Sequence, residues 1–232
     1  DFAVLRLTAG GQVDTGYGTG GWARANWADK YAAATAGRLA PDGGIVIVGR
    51  VGDGGGGYAD VGVARFTAGG VLDVAFGNNG IVRGTLTPND DEFARGVVVQ
   101  SDGKVVVVGW KSTDTVDKAL WLARYNADGQ LDTSFGTGGL AALATPIRGR
   151  ALAMRSDGVV YVTGLVDPVS GVGGDFGIAR FTASGQPDPT FGKDGLLALD
   201  LFGGSDEPGA VLLQPDGRLV VAGTAYNGNT SG

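Results

Sequence analysis

The chain has 232 residues, 43% of them hydrophobic, with 45 glycines, a formal net charge of −6 and an isoelectric point near 4.6. That acidity repels nucleic-acid phosphates and anionic lipid headgroups alike, so neither is an expected partner. Cysteine and histidine are both absent, which excludes disulfides, thiol chemistry, Ser/His/Asp and Cys/His relays and the usual zinc, iron and copper ligands. No apolar run approaches the ~20 residues that span a bilayer, so membrane insertion is not expected. The first residues, Asp1-Phe2, carry no signal-peptide pattern, so a targeting segment is expected either to have been removed or never to have been included.

Read in chain order, the first predicted element is an extended segment, Asp1-Phe-Ala-Val-Leu-Arg-Leu, followed by Val13-Asp14 through Gly21. A D-G turn at Asp42-Gly43 then opens an apolar run to Gly49, and a glycine-rich stretch occupies Gly52 to Gly57. The same series begins again at Asp60-Val-Gly-Val-Ala-Arg-Phe, Lys118-Ala-Leu-Trp-Leu-Ala-Arg-Tyr and Asp175-Phe-Gly-Ile-Ala-Arg-Phe. These segments align on Arg6, Arg65, Arg124 and Arg180, at intervals of 59, 59 and 56 residues. Each is followed by an L-D-x-x-F-G-x-x-G element ending at Gly21, Gly80, Gly139 or Gly195, and each repeat has a D-G turn starting at Asp42, Asp102, Asp157 or Asp216.

The second repeat boundary shows the strands most plainly. Ala94 to Gln100 is a strand, Ser101-Asp102-Gly103 a tight turn, and Lys104 to Trp110 the returning strand. A polar loop from Lys111 to Asp117 leads to a third strand at Ala119 to Tyr125, and the Asn126 to Gly138 connection leads to a fourth near Gly139 to Ala144. Four antiparallel strands per repeat make a propeller blade, and no segment combines helical caps with a 3.6-residue apolar period. The fold expected is therefore all-β, a single four-bladed β-propeller with repeat units 1–59, 60–117, 118–174 and 175–232. On the third strands, Phe2, Val61, Leu120 and Phe176 share a face with Val4, Val63, Leu122 and Ile178, whereas Ala3, Gly62 and Gly177 on the other face are small. Large residues of one blade are thus expected to press on small residues of the next.

Leu219 to Ala225 reads as a second strand, and Asp1 begins a third. The expected ring closure places Asp1 to Trp27 in one sheet with Val211 to Tyr226. The competing arrangement is an open arc belonging to a longer array, able to pair with a second copy.

The recurring D-F-x-V-x-R-[YF]-x-x-x-G-x-L-D-x-x-F-G-x-x-G followed by Q-x-D-G-K-x-V-V-x-G resembles the delta-60 repeat family of bacterial β-propellers. The likeness covers the whole chain and is weakest in the first unit, at Gly16-Tyr17 and Ala40-Pro41-Asp42-Gly43-Gly44. It implies a bacterial cell-surface or secreted protein, often part of a larger chain, and brings no established activity.

Four kinds of candidate site emerge. Arg6, Arg65, Arg124 and Arg180 line up with buried apolar residues and so require partners. Asp14, Asp73, Asp132 and Asp188, each eight residues downstream, are the expected ones, in a structural network rather than an anion site. Asn126-Ala-Asp128-Gly129-x-x-Asp132 resembles the opening of a calcium loop, but its counterparts supply too few carboxylates, and a turn is expected. The glycine run at 52–57 has neither the helix nor the lysine of a phosphate cradle and reads as a flexible loop. Asp90, Asp91, Glu92, Asp206 and Glu207 are expected in polar loops as solvated charge, with half of a glycosidase pair or a surface calcium site as the functional readings.

In a propeller, the loops joining second to third and fourth to next-first strands open on one face. Here those loops differ among repeats, and Trp27, Tyr58, Trp110, Phe202 and Tyr226 lie in or beside them as aromatics able to stack on a sugar or peptide. The function expected is a non-catalytic scaffold or a module binding protein or glycan on that face, with no metal or cofactor required and calcium possible. A calcium-assisted lectin and a histidine-free glycan hydrolase or lyase using the five acidic residues are the alternatives.

Overall fold

A computed structural model describes residues 1–28, 31–52, 58–87, 90–112, 117–166 and 174–226. The glycine run at 53–57 and the tail at 227–232 fall outside the described residues. Among the described residues the chain is all-β, with sixteen strands and no helix. The first six are β1 (Phe2–Leu5), β2 (Trp22–Ala25), β3 (Tyr31–Leu39), β4 (Ile45–Gly52), β5 (Asp60–Phe66) and β6 (Ile81–Gly84). Next come β7 (Asp91–Val99), β8 (Val105–Ser112), β9 (Asp117–Tyr125), β10 (Leu140–Ala141) and β11 (Ile147–Met154). The last are β12 (Val160–Val166), β13 (Asp175–Phe181), β14 (Leu196–Leu199), β15 (Asp206–Leu213) and β16 (Leu219–Ala225).

Three four-stranded antiparallel sheets have the orders β3-β4-β5-β6, β10-β9-β8-β7 and β11-β12-β13-β14. The pairs β1-β2 and β15-β16 stand as separate two-stranded sheets, where one continuous sheet was expected from the sequence. The D-G hairpins form because Gly43, Gly103, Gly158 and Gly217 take φ between 82° and 88°, a left-handed turn that glycine adopts without steric cost. Each aspartate caps its own turn: Asp42, Asp102, Asp157 and Asp216 Oδ1 accept from the amide two residues on. First strands carry a β-bulge at one shared register, between Ala34 and Ala36, Gly149 and Ala151, and Pro208 and Ala210.

The chain divides into two compact units, residues 1–107 with 124–131, and 108–123 with 132–232. In the first unit β5 is buried along its whole length, and one of its faces receives the rings of Phe2 and Trp27 at Gly62. A Cβ at Gly62 would lie 2.9 Å from Phe2 and 3.1 Å from Trp27, so the small residue is what lets the aromatic pair reach the sheet. β7 lies against β3, β4 and β5. In the second unit β12 is fully buried, and β15 lies against β11, β12 and β13. Gly177 there meets Val166 and Ile147 of its own sheet, as Gly62 meets Val51 of its own.

Candidate functional site

Two kinds of strand end carry different chemistry. At the end bearing the F-G motif, polar residues are spent on joints. Arg6 Nε lies 2.8 Å from Asp14 Oδ2, Arg65 Nε 3.0 Å from Asp73 Oδ2, and Arg180 Nε 2.8 Å from Asp188 Oδ2. Arg124 and Asp132 are both buried. Arg65 also donates to Asp42 in the D-G turn at 2.6 Å and, with Nη1, to the carbonyl of Ala127 in the following repeat. Arg6 does the same to Ala68 at 2.9 Å and stacks over Tyr17 at 4.4 Å. Arg180 stacks over Phe191 at 4.8 Å. Hydrogen bonds from Thr190, aided by Arg180, hold the Asp188 carboxyl below its usual range. The Gly44 amide, with Arg65, lowers that of Asp42.

A main-chain joint runs beside these pairs. Gly18 N donates to Gly69 O at 2.8 Å, Gly77 N to Asp128 O at 2.7 Å, and Gly136 N to Ser184 O at 2.6 Å. Each bond ties the glycine of one F-G motif to the turn of the next repeat. Asp128 is therefore an acceptor through its main chain while its side chain caps the turn at Gln130 N, 2.9 Å away, as a turn residue does.

The other strand ends, where the variable loops attach, gather acidic residues. Asp91, Glu92, Asp206 and Glu207 stand at the starts of β7 and β15, so their expected placement in polar loops is corrected. Asp90 and Glu92 are buried, Glu92 and Asp206 completely, which also corrects the reading of all five as solvated charge. Burial raises the Glu92 carboxyl, and the neighbouring Asp60 adds to the rise. Glu92 Oε1 accepts from Thr87 N at 2.6 Å and Thr87 Oγ1 at 3.0 Å, tying Thr87 to the start of β7. Asp206 does the equivalent, with Oδ2 accepting from Leu201 N at 2.7 Å. Asp91 pairs with Arg50 at 2.8 Å and accepts from Ala59 N; Glu207 pairs with Arg150 at 3.0 Å. Burial pushes the Tyr125 hydroxyl far up, with the Glu92 charge as the second cause.

The aromatics divide. Trp27, expected beside a ligand, is buried with its ring centroid 5.1 Å from that of Phe2 and belongs to the core. Trp110 is half-buried at the end of β8. Tyr58, Phe202 and Tyr226 are exposed. Missed in the sequence were shallow grooves along the outermost strands: one of about 510 Å³ lined by Gly18, Thr19, Trp22 and Val71, and one of about 460 Å³ lined by Thr145, Lys193 and Leu197. Trp22, half exposed, was the signal, since its place at the start of the fourth strand leaves a large ring in contact with solvent.

The family described as a domain of unknown function (DUF5122) beta-propeller matches residues 40–76, 100–135, 155–191 and 214–232, more than half of the sequence. The chain belongs to this family. Each of the three longer DUF5122 matches runs from a D-G hairpin to the aromatic of an F-G motif, Phe76, Phe135 or Phe191, so the family unit contains both the hairpin and the joint. Similar solved structures include a protein of unknown function from Bacteroides caccae, with a TM-score of 0.45 and 12% identity over 84% of this chain. Another is an alpha-L-arabinofuranosidase from Lactobacillus brevis, with a TM-score of 0.42 and 13% identity over 82%. The DUF5122 chain spans 54% and 65% of those two chains. No curated protein matches the sequence.

Proposed function

We propose that this DUF5122 chain is a non-catalytic, four-bladed propeller of the delta-60 type from a bacterial surface or secreted protein. It binds a protein or glycan through its variable-loop face. The observation that carries the reading is the division of labour between strand ends. Repeated arginines, aspartates and glycines are committed to joints at one end, and the loops that differ among repeats attach at the other. The buried carboxylates at that other end are bonded to main-chain amides that hold the loops, a structural use rather than a catalytic one. The bacterial surface placement rests on the resemblance of the repeat.

Ring closure is supported by register. β15-β16 has the sequence of first and second strands, and β1-β2 that of third and fourth. Gly49 pairs with Gly62 and Gly164 with Gly177, so by alignment Gly223 would face Ala3 and Val221 would face Leu5. The chain has no cysteine, so the doubly substituted Leu5→Cys/Val221→Cys protein tests this directly. A closed ring forms an intramolecular disulfide, seen as a monomer of unreduced mass with no free thiol. Free thiols or disulfide-linked dimers would refute closure.

Binding is tested on peptide and glycan arrays read for capture and for cleavage. Tyr58→Ala, Phe202→Ala or Tyr226→Ala is expected to weaken capture about tenfold, the loss of one stacked ring, whereas Val74→Ala on the motif end leaves it unchanged. Cleavage of an arrayed glycan would overturn the non-catalytic reading.

A further inference from the structure

Counted back seven residues from the aspartate of each D-G turn, one position on the first strands holds Thr35, Arg95, Arg150 and Gly209. In β3, β11 and β15 it is the residue left between the bulge partners Ala34 and Ala36, Gly149 and Ala151, and Pro208 and Ala210. A bulge of this kind takes the extra side chain out of the ladder and re-aims it. Thr35 spends its hydroxyl on the carbonyl of Ala94, 2.8 Å away. Arg150 pairs with Glu207 at 3.0 Å, and Gly209 has no side chain to place. Arg95 differs from all three. It is exposed between the buried Ala94 and Gly96, and among the described residues it makes no ion pair.

What surrounds Arg95 is aromatic. Its Cζ lies 5.9 Å from the centre of the Phe93 ring, and Arg50 Cζ lies 4.7 Å from the same ring and 5.9 Å from that of Tyr31. Tyr31, Arg50, Phe93 and Arg95 therefore form one continuous patch, running from the variable-loop ends of β3 and β4 into the middle of β7. All four belong to one compact unit. Arg50 also holds Asp91 at 2.8 Å, so two guanidiniums face one carboxylate and a single positive charge is left over, in a chain whose net charge is −6. An arginine set against a ring keeps its N–H edge for a planar anion. The Tyr31 ring, 48% exposed, offers beside it an apolar face for the C–H side of a pyranose.

We infer that this patch is a subsite for a carboxylated sugar, a uronic acid within a glycan, with Arg95 taking the carboxylate through paired N–H donors and Tyr31 stacking on the ring. The inference rests on the reading of the variable-loop face as a binding face, and it names the class of glycan. A single surplus charge matches a monoanion. An acidic peptide brings the carboxylate without the rigid ring that Tyr31 accommodates.

The test is titration calorimetry of the intact chain with oligogalacturonate and oligomannuronate, against their methyl esters, which keep the rings and lose the charge, and against oligoglutamate of equal length. At least one of the two acids is expected to bind, about tenfold more tightly than its ester or the peptide and more weakly as salt rises from about 0.05 M to about 0.5 M. Arg95→Ala weakens that binding about tenfold; Arg95→Lys recovers only part of the loss, because an ammonium lacks the fork. Tyr31→Ala weakens sugar binding and leaves oligoglutamate unaffected. Arg155→Ala removes the same charge from an exposed D-G turn and leaves all binding unchanged. Arg95 is exposed, so an unchanged Tm verifies that its variants fold. No binding of either acid, equal binding of acid and ester, equal binding of oligoglutamate, or full affinity in a folded Arg95→Ala protein would each overturn the inference. Array ligands captured through Tyr58, Phe202 or Tyr226 with Arg95→Ala unaffected would leave the binding face standing and remove this subsite alone.

Discussion

Replacing Gly129 with alanine is expected to lower the stability of the chain by roughly 3 kcal/mol, read as a shift in urea midpoint at constant slope. Two costs add. Gly129 has φ +83°, where a side chain is strained by about 1 kcal/mol. A Cβ there would also lie 2.7 Å from Gly77 N, the donor of the joint to Asp128 O. The neighbour is main chain and cannot swing away, so either the repeats separate locally or the bond lengthens. Gly138→Ala separates the two costs, because Gly138 has φ +62° and nothing within 4 Å of the added carbon. It is expected to lose only about 1 kcal/mol. Equal losses at the two sites would mean that the joint contributes nothing. Gly11 extends the comparison: it too faces open space in this structure, yet in a closed ring it would receive Phe191 and the amide of Gly192 as Gly185 receives Phe135 and Gly136. Closure therefore predicts that Gly11→Ala costs as much as Gly129→Ala.

The second large effect belongs to Glu92. Alanine at this position strips the Thr87 amide and hydroxyl of their acceptor and leaves a void, an expected loss of about 3 kcal/mol. Glutamine keeps the volume and an acceptor oxygen but not the charge. An unfolded glutamate titrates near about 4.3. Glu92 is held higher by burial and by Asp60, so in the window above 4.3 the folded chain keeps a proton that the unfolded chain has released. Stability contributed by Glu92 is therefore full below about 4.3, falls as pH rises through the window, and levels off above the folded value. Urea midpoints from about pH 4 to about pH 8 should show that the decline is shallower in Glu92→Gln than in the wild type. Identical slopes would mean that Glu92 ionises in the fold as it does in water.

Much of this architecture was legible because its signals are local. A D-G pair between β-branched runs demands a left-handed glycine, and all four such glycines have it. Third strands were legible through the alternation of large and small residues around Gly62, which the packing of Phe2 and Trp27 from a neighbouring sheet explains. Glu92 was not, since Asp90-Asp91-Glu92 reads by composition as a loop, and only the register reveals that Glu92 shares its position with the buried, apolar Ile147. Trp27 was misplaced for a related reason: an aromatic next to a loop in sequence sits over a glycine that belongs to another strand. The fourth strand expected near Gly139 to Ala144 is only Leu140–Ala141, whereas its counterparts β2, β6 and β14 keep four residues each.

The joints at Gly18, Gly77 and Gly136 have an amide for their donor and a carbonyl for their acceptor, so beyond that glycine and the one in the receiving turn no side-chain identity is needed to make them. A gene segment copied in place would yield a product that carries both halves of the joint, the glycines and the arginine–aspartate pair beside them. Lengthening such an array is thus mechanically simple, and the loops at the opposite strand ends are left to vary.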